Sequence, residues 1–208
     1  MSLLNSEWGF DSLTPGQEKK YNYDLKNYIR TFDVLSFQDV DAVLKGLELS
    51  VWKKHSYRVS GYPVDDHNTF ANSEEFDIAW EFPHSNLLMS KIWDALKLYV
   101  ESVNLPWFNT WNGFTPVRIN KYIKDTFMDL HCDHIHDIFD GQRKGIPILS
   151  VLGVLKDDCK GGELVFFNEV EYKIPAGSII VFPSSFLYPH KVNKIISGER
   201  ISFVSWVW

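Results

Sequence analysis

The second half of the chain is divided into short runs of β-branched and aromatic residues that are separated by turn residues. From residue 117 onward, eight such runs follow one another: VRINKYI, FMDLHCD, PILSVLGVL, ELVFF, EYKI, SIIVFP, HKVNKI and RISFVSWVW. Short strands at this close spacing are typical of a sandwich, barrel or jelly roll. The longest apolar run, IPILSVLGVL, is too short to span a membrane and predicts a buried strand.

The first half of the chain contains two helical patterns. The sequence SFQDVDAVLKG predicts a helix with Ser36 as its N-cap and Gly46 as its end. The stretch 85–103 predicts a longer helix that begins with Ser85 as its cap. Its apolar residues recur at helical spacing and predict packing against a core: Leu88, Ile92, Leu96, Tyr99 and Val100.

The length of 208 residues and the 45% share of hydrophobic residues predict one domain with a substantial core. Neither a repeat nor a linker divides the sequence. We therefore expect a single domain over 1–208 of the α+β class, mainly β. In this domain, residues 1–116 form a supporting region of helices and strands, and residues 117–208 form the β core that carries the functional residues.

Charge and cysteine content restrict the class of protein. The net charge of −6 and the pI of about 5.6 argue against a protein that binds duplex nucleic acid, which usually has a basic surface. The two cysteines, Cys132 and Cys159, are too few for a disulfide framework and are expected to be free thiols. The first ten residues do not resemble a signal peptide, so we expect a cytoplasmic protein without membrane association.

The stretch LHCDHIH contains several residues that can bind a metal. If it continues a strand, His131 and Asp133 lie on one face, and Cys132 and His134 lie on the other. The first pair is two residues apart and can converge on one ion without strain.

A rival zinc site would use Cys132, His134 and His136, with Cys159 as a further ligand. Residues four apart on a flat strand are about 13 Å apart. Zinc ligands lie only about 2.0–2.3 Å from the ion, so this set would require a sharp bend. The geometry therefore favours the other face of the strand.

A third ligand for that face is available in FPSSFLYPHKV, where His190 opens a predicted strand. Two histidines and one carboxylate on strands form the facial triad of non-haem Fe(II) oxygenases, which leaves three coordination positions open. Ten residues later, Arg200 and Ser202 share one face of the last strand. An inward-facing arginine is costly unless it meets an anion, and its planar fork fits a carboxylate.

This combination resembles the Fe(II)/2-oxoglutarate-dependent dioxygenases over roughly 117–208. It consists of H-x-D, a histidine 59 residues later and an arginine ten residues after that. The Gly-Gly-Glu turn in DDCKGGELVFF and the Pro-x-Gly strand in IPAGSIIVFPSSFLYPHKV are also similar to that family. Within it, the chain resembles the prolyl 4-hydroxylase-like branch, especially compact forms from bacteria and their phages.

The resemblance implies a double-stranded β-helix, which is a distorted, cupin-like jelly roll braced by helices. It implies that His131, Asp133 and His190 hold Fe(II) and that Arg200 and Ser202 bind the distal carboxylate of 2-oxoglutarate. The implied reaction hydroxylates a C–H bond of a peptidyl, prolyl-like or amino-acid substrate, with succinate and carbon dioxide as co-products. Oxygen is then the co-substrate, and the resemblance also allows ascorbate as an accessory cofactor.

Four further positions are interpreted through the same resemblance. Asn120 and Tyr122 form an N-x-Y pair similar to that of the alkylation-repair branch, in which both side chains contact 2-oxoglutarate. That branch has a second arginine where this chain has Trp206, and this difference disfavours nucleobase repair. Plant-type prolyl hydroxylases have a tryptophan there on the substrate side. Met128 stands where those enzymes favour a tyrosine, so we expect no cofactor contact from it.

The remaining histidines and aromatic residues are assigned supporting roles. His134 and His136 are expected in a loop beside the site, and we interpret His55, His67 and His84 as surface residues. For the aromatic cluster PWFNTW, packing beneath the β core is favoured over lining a substrate groove.

Three functions remain open from the sequence. The leading one is a hydroxylase, and the alternatives are oxidative demethylation of a nucleobase and a jelly roll that binds metal without catalysis. The arginine with its neighbouring serine disfavours the last, because a plain binding module has no need of a carboxylate anchor.

Overall fold

The structure is a computed structural model that describes residues 24–55, 76–105, 108, 111–133 and 147–208. Within these residues, the helical segments are a 3-10 turn at Leu25–Tyr28, helix α1 at Phe37–Leu47 and helix α2 at Ser85–Val103. The strands are β1 (Arg30–Asp33), β2 (Lys53–Lys54), β3 (Asp77–Ala79), β4 (Arg118–Tyr122), β5 (Met128–His131), β6 (Leu149–Gly161), β7 (Leu164–Phe166), β8 (Val170–Tyr172), β9 (Ser178–Pro183), β10 (His190–Val192) and β11 (Ile195–Val207).

The strands form two antiparallel sheets. The large sheet has the order β1-β9-β6-β11-β4-β3-β2, and the small sheet has the order β5-β10-β7-β8. Each of the eight runs predicted from residue 117 onward overlaps one of the strands β4–β11, although β6, β8 and β11 extend beyond their runs. The supporting region adds β1 to one edge of the large sheet and β2 and β3 to the other.

The two sheets face each other across an inner apolar cluster. This inner cluster takes residues from both sheets, among them Tyr122, Leu152, Leu164, Phe166, Phe182, Val192 and Trp206. A second, outer cluster lies between the large sheet and the two helices, and includes Val43, Leu88, Ile92, Val151, Ile179 and Phe203. Two facing sheets with helices on one side form a helix-braced double-stranded β-helix, so the predicted fold class is confirmed.

Helix α1 begins as predicted but ends differently. The hydroxyl of Ser36 accepts a hydrogen bond from the Asp39 backbone N–H at 3.1 Å, and the Asp39 carboxylate accepts one from Ser36 N–H at 2.8 Å. The prediction that Gly46 ends the helix was wrong, because the helix continues to Leu47. Gly46 is buried, and a Cβ at this position would lie 3.1 Å from the ring of Pro83. The glycine therefore permits close packing.

Helix α2 has the predicted bounds but a different cap. It begins at Ser85, and its N-cap is His84, in a left-handed conformation with φ 68° and without a side-chain capping bond. The prediction of Ser85 as the N-cap was therefore wrong. The predicted apolar stripe does pack against the core: Leu88, Ile92, Leu96 and Tyr99 are buried, and Val100 is half-buried.

Among the described residues, no helix combines the length and the apolar character that a bilayer crossing requires.

Candidate functional site

Strand pairing brings together three side chains that are distant in sequence. His131 is the last residue of β5, and Asp133 follows it by two positions. His190 is the first residue of β10, which pairs with β5 so that His190 lies directly opposite His131. The nitrogen and oxygen atoms that these residues offer all lie within 4.8 Å of one another. We call this group the triad.

The two imidazole rings are oriented toward the carboxylate between them. Nε2 of His131 lies 3.5 Å from Oδ1 of Asp133, and Nε2 of His190 lies 3.8 Å from Oδ2. The opposite nitrogen of each ring contacts a backbone carbonyl: Nδ1 of His131 is 2.7 Å from Asp129 O, and Nδ1 of His190 is 3.1 Å from Tyr188 O. A proton on each Nδ1 satisfies these contacts and leaves each Nε2 lone pair for a metal.

The burial of the triad determines the charges that its members carry. Burial lowers the pKa of His190 to about 4, against the opposing effect of the Asp133 charge. Burial alone would raise the pKa of Asp133, but His190, His131 and a hydrogen bond from Ser150 hold it well below its usual value. For His131, Asp133 outweighs the effect of burial and raises the pKa. A neutral His190 and an ionised Asp133 are the forms that bind a divalent cation.

The donor set fits Fe(II). Two imidazole nitrogens and one carboxylate are the ligands of the facial triad, and no thiolate belongs to the group. Two members of the rival zinc set, His134 and His136, lie outside the described residues. Cys132 instead donates a long hydrogen bond from Sγ to Phe186 O at 3.6 Å. Both Cys132 and Cys159 are free thiols, as predicted.

Four polar residues of β4 and β11 form a compact block on the inner face of the large sheet. Arg200 lies opposite Tyr122 and Ser202 lies opposite Asn120, so the four side chains share one face. All four are buried. The guanidinium carbon of Arg200 lies 5.6 Å from the centre of the Tyr122 ring, and Nη1 donates to Ser202 Oγ at 3.3 Å. The structure thus brings together the residues that the sequence associated with 2-oxoglutarate.

Arg200 carries a buried charge that has no ion pair within the described residues. Only 3% of the residue is exposed, and within the part of the chain that the structure describes its guanidinium donates one hydrogen bond, to a neutral hydroxyl. Burial lowers the pKa of Arg200, while the charges of Asp157 and Glu163 favour its protonated form without forming an ion pair with it. A buried cation of this kind is stabilised when an anion binds beside it.

The inner cluster connects the triad to this block. The His190 ring lies 5.4 Å from Phe166 and 4.9 Å from Phe182, measured between ring centres. Both phenylalanines pack in the same inner cluster as Tyr122, whose ring contacts the arginine. The triad and Arg200 therefore lie on the same apolar interior, between the two sheets.

The sequence reasoning missed Arg118. It lies on β4 two residues before Asn120, so it shares the inner face, and its Nε donates to Asn120 Oδ1 at 3.0 Å. Its guanidinium lies 5.1 Å from the ring centre of Trp206, which is buried, and 6.0 Å from that of Trp80. The two-residue period of a strand could have identified Arg118 together with Asn120 and Tyr122.

Two buried serines were also missed. Ser150 donates to Oδ2 of Asp133 at 2.6 Å, and Ser184 Oγ lies 2.7 Å from Ser150 Oγ. Ser150 is the one hydroxyl-bearing residue in the otherwise apolar run IPILSVLGVL, and a single polar residue in a predicted buried strand could have identified it.

The predictions for the remaining histidines and for the aromatic cluster agree with the structure only in part. The prediction that His55 is a surface residue was wrong: it is 5% exposed, and its ring stacks on Phe76 at 4.5 Å. His84 is exposed, as predicted, and His67 lies outside the described residues. Of the PWFNTW cluster, Phe108 and Trp111 pack against the outer cluster, which agrees with the packing interpretation. Residues 106–107 and 109–110 lie outside the described residues.

Residues 117–208 match the family model of the 2OG-Fe(II) oxygenase superfamily. A PKHD-type hydroxylase of Alteromonas mediterranea is 47% identical over 108 residues, which cover 46% of this chain and 46% of the relative. A PKHD-type hydroxylase of Stenotrophomonas maltophilia is 32% identical over 99 residues, which cover 45% of this chain and 43% of the relative. The matched segments thus span less than half the length of these two relatives.

Solved structures share the fold. A viral collagen prolyl hydroxylase of Paramecium Bursaria Chlorella virus-1, solved as a 2OG complex, superposes with a TM-score of 0.60 at 20% identity. The alignment covers 86% of this chain and 95% of that one. A prolyl hydroxylase of Trichoplax adhaerens, in complex with a hypoxia inducible factor peptide fragment, has a TM-score of 0.58 at 18% identity, with coverage of 88% and 84%. Residues 117–208, which carry both the triad and Arg200, are thus similar to the 2OG-Fe(II) oxygenase superfamily.

Proposed function

We propose that this protein is an Fe(II)- and 2-oxoglutarate-dependent hydroxylase that inserts one oxygen atom into a C–H bond. The observation that carries the proposal is the buried Arg200, which has no ion pair within the described residues and lies on the same interior as the triad. A metal-binding module has no use for such a cation. A co-substrate that chelates a metal at one end and carries a carboxylate at the other end accounts for both groups.

Each polar residue of the interior has a role in this proposal. His131, Asp133 and His190 hold Fe(II), and the guanidinium of Arg200 pairs with the distal carboxylate of 2-oxoglutarate, to which Ser202 donates a hydrogen bond. Asn120 and Tyr122 contact the same molecule from β4. Arg118 Nε donates a hydrogen bond to the side-chain oxygen of Asn120, so the side-chain N–H groups of Asn120 are the ones that can donate to a bound carboxylate.

Iron and 2-oxoglutarate, when bound, supply the oxidation itself: oxygen, 2-oxoglutarate and a C–H bond are converted to succinate, carbon dioxide and a C–OH group. The protein binds and orients the reactants and excludes water. The apolar rings of Phe166 and Phe182 beside His190 serve this last purpose, because they keep bulk solvent from one side of the triad.

For the substrate, we infer a peptidyl prolyl-like residue or a free amino acid. The support comes from relatives named PKHD-type hydroxylases and from prolyl hydroxylases of the same fold. Trp206 is the proposed contact on the substrate side, and the guanidinium of Arg118 stacked over its ring fixes its position. The acidic net charge of −6 disfavours nucleic acid as the substrate.

The test is a turnover assay with the full chain, Fe(II), 2-oxoglutarate, ascorbate and air. Proline-containing peptides, free amino acids and methylated oligonucleotides are offered separately, and succinate and the mass gain of one oxygen atom are measured. We expect succinate formation that depends on Fe(II), with hydroxylation of a peptide or an amino acid. Loss of a methyl group from an oligonucleotide would support the demethylase instead, and metal binding without succinate would support a non-catalytic module.

A further inference from the structure

Two buried serines form a chain of hydrogen bonds that ends on the carboxylate of the triad. Ser150 lies within β6, and Ser184 directly follows β9. The distances are 2.6 Å from Ser150 Oγ to Asp133 Oδ2 and 2.7 Å between the two serine hydroxyls. Ser150 is 3% exposed and Ser184 is fully buried, so both hydroxyls depend on this chain for their partners.

The direction of the hydrogen bonds follows from the number of protons. A serine hydroxyl has one proton, and Ser150 donates it to Asp133. In the bond between the serines, Ser150 is therefore the acceptor and Ser184 is the donor. A hydroxyl that accepts one hydrogen bond is polarised and becomes a better donor, so Ser184 strengthens the bond from Ser150 to the carboxylate. The short distance of that bond agrees with a charge-assisted interaction.

The chain makes the two oxygens of Asp133 different. Oδ1 lies 3.5 Å from His131 Nε2 and Oδ2 lies 3.8 Å from His190 Nε2, but only Oδ2 also accepts the hydrogen bond from Ser150. A carboxylate that binds a metal through both oxygens occupies two coordination positions, and one that binds through a single oxygen occupies one. With two imidazoles and one oxygen, three positions remain for the co-substrate and for oxygen.

On the basis of the proposed Fe(II) site, we propose that Ser150 and Ser184 are positioning residues that hold the Asp133 carboxylate in one orientation. In this orientation Ser150 retains Oδ2 through its hydrogen bond, and Oδ1 is left as the single oxygen that binds the metal. Neither serine touches the metal. They act through Asp133, and they come from β6 and from the residue that directly follows β9, two strands that pair in the large sheet. The small sheet supplies the metal ligands at β5 and β10, while the large sheet sets the rotation of the carboxylate.

A matched control exists on the opposite face of the same sheet. Ser205 of β11 is also fully buried and also donates a hydrogen bond, to Thr115 O at 2.8 Å. Its neighbours in the two-residue period, Phe203 and Val207, belong to the outer cluster, away from the triad. Ser205→Ala therefore removes a buried serine hydroxyl of the same kind without touching Asp133.

The experiment titrates metal-free full-length protein with Co(II), without oxygen or 2-oxoglutarate, and records both the affinity and the visible spectrum of the bound ion. We expect Ser150→Ala to weaken Co(II) binding by about 10- to 100-fold, the range observed when the partner of a metal ligand is removed. Its Co(II) spectrum should also change, because a released carboxylate can bind through both oxygens. Ser184→Ala should give a smaller loss, Ser150→Thr should restore the affinity, and Ser205→Ala should match the wild type.

The outcomes separate this proposal from the one on which it depends. A wild-type protein that does not bind Co(II) would overturn the metal site itself. A wild-type protein that binds Co(II), together with a Ser150→Ala protein whose affinity and spectrum are unchanged, would overturn only the positioning role. If Ser150→Ala does not fold, as judged by circular dichroism, Ser184→Ala decides the question: reduced affinity supports the proposal, and affinity equal to that of Ser205→Ala overturns it.

Discussion

The two faces of strand β11 differ sharply in chemistry, although their residues alternate along one chain segment. One face carries Ile201, Phe203 and Val207, which pack under the helices in the outer cluster. The other face carries Arg200, Ser202 and Trp206 and looks into the space between the sheets. The outer face has one buried hydroxyl, Ser205, which donates to Thr115 O, whereas the inner face carries a buried guanidinium without an ion pair within the described residues. The polar residues on the inner face thus mark the part of the core that is built to hold ligands.

The largest effect is expected from the triad on the inner side. Asp133→Ala removes the only carboxylate of the triad. Mutation of a residue that merely supports a metal ligand weakens metal binding by up to about 100-fold, so the loss of a ligand itself should weaken it by more. Succinate formation should drop to the level of the metal-free protein. Metal content after gel filtration and a succinate assay measure the two quantities. Wild-type metal content in this variant would show that the triad is not the metal site.

Phe203→Ala tests the outer face. Phe203 is fully buried and packs over Gly153, where a Cβ would come as close as 2.1 Å to its ring. We expect the free energy of unfolding to fall by about 3–5 kcal/mol, as for other large core truncations. Urea denaturation measures this. The affinity of the folded protein for 2-oxoglutarate should stay unchanged, and a specific loss of affinity would contradict the separation of the two faces.

Arg200→Met should have opposite effects on binding and stability. The affinity for 2-oxoglutarate should fall by about 2–5 kcal/mol, which is roughly 30-fold or more, because the bound carboxylate loses its charged partner. Without ligand, the free energy of unfolding should stay the same or rise, because a buried cation without an ion pair within the described residues is replaced by an apolar side chain. Calorimetry and urea denaturation check the two statements. A clear loss of stability without ligand would indicate that Arg200 is structural.

The smallest effect is expected from a single hydroxyl on the inner face. Tyr122→Phe keeps the ring that packs against Arg200 and Phe76 and removes only the phenolic oxygen. If this oxygen contacts 2-oxoglutarate, the affinity should fall by about 0.5–1.5 kcal/mol, or roughly 2- to 12-fold. Unchanged affinity would show that the Tyr122 hydroxyl does not contact 2-oxoglutarate, and it would leave the proposed role of Arg200 unchanged.

The sequence predicted the β core well because strand patterns are local. Each run of β-branched and aromatic residues from 117 onward forms a strand, and the spacing of His131, Asp133 and His190 places them where antiparallel pairing joins them. The face of Arg200 followed from the two-residue period of β11.

The errors concern features that depend on distant contacts. Gly46 does not end α1, because the packing of Pro83 against it decides its role. His55 is buried because Phe76, which is 21 residues away, stacks on it. The serine chain behind Asp133 joins residues from three separate segments, and sequence spacing gives no measure of those distances. Arg118 is an exception, because it lies two residues before Asn120 and the alternation of a strand already predicts that the two share one face.

The most direct test of the account is an anaerobic titration of the Fe(II)-loaded protein with 2-oxoglutarate, monitored through the visible absorption band of the metal-chelated co-substrate. We predict a saturable band in the wild type, no band in Asp133→Ala, and in Arg200→Met a band that appears only at concentrations at least about 30-fold higher. If the wild type gave no band, or if Arg200→Met saturated at the wild-type concentration, the triad and Arg200 would not bind the two ends of one ligand.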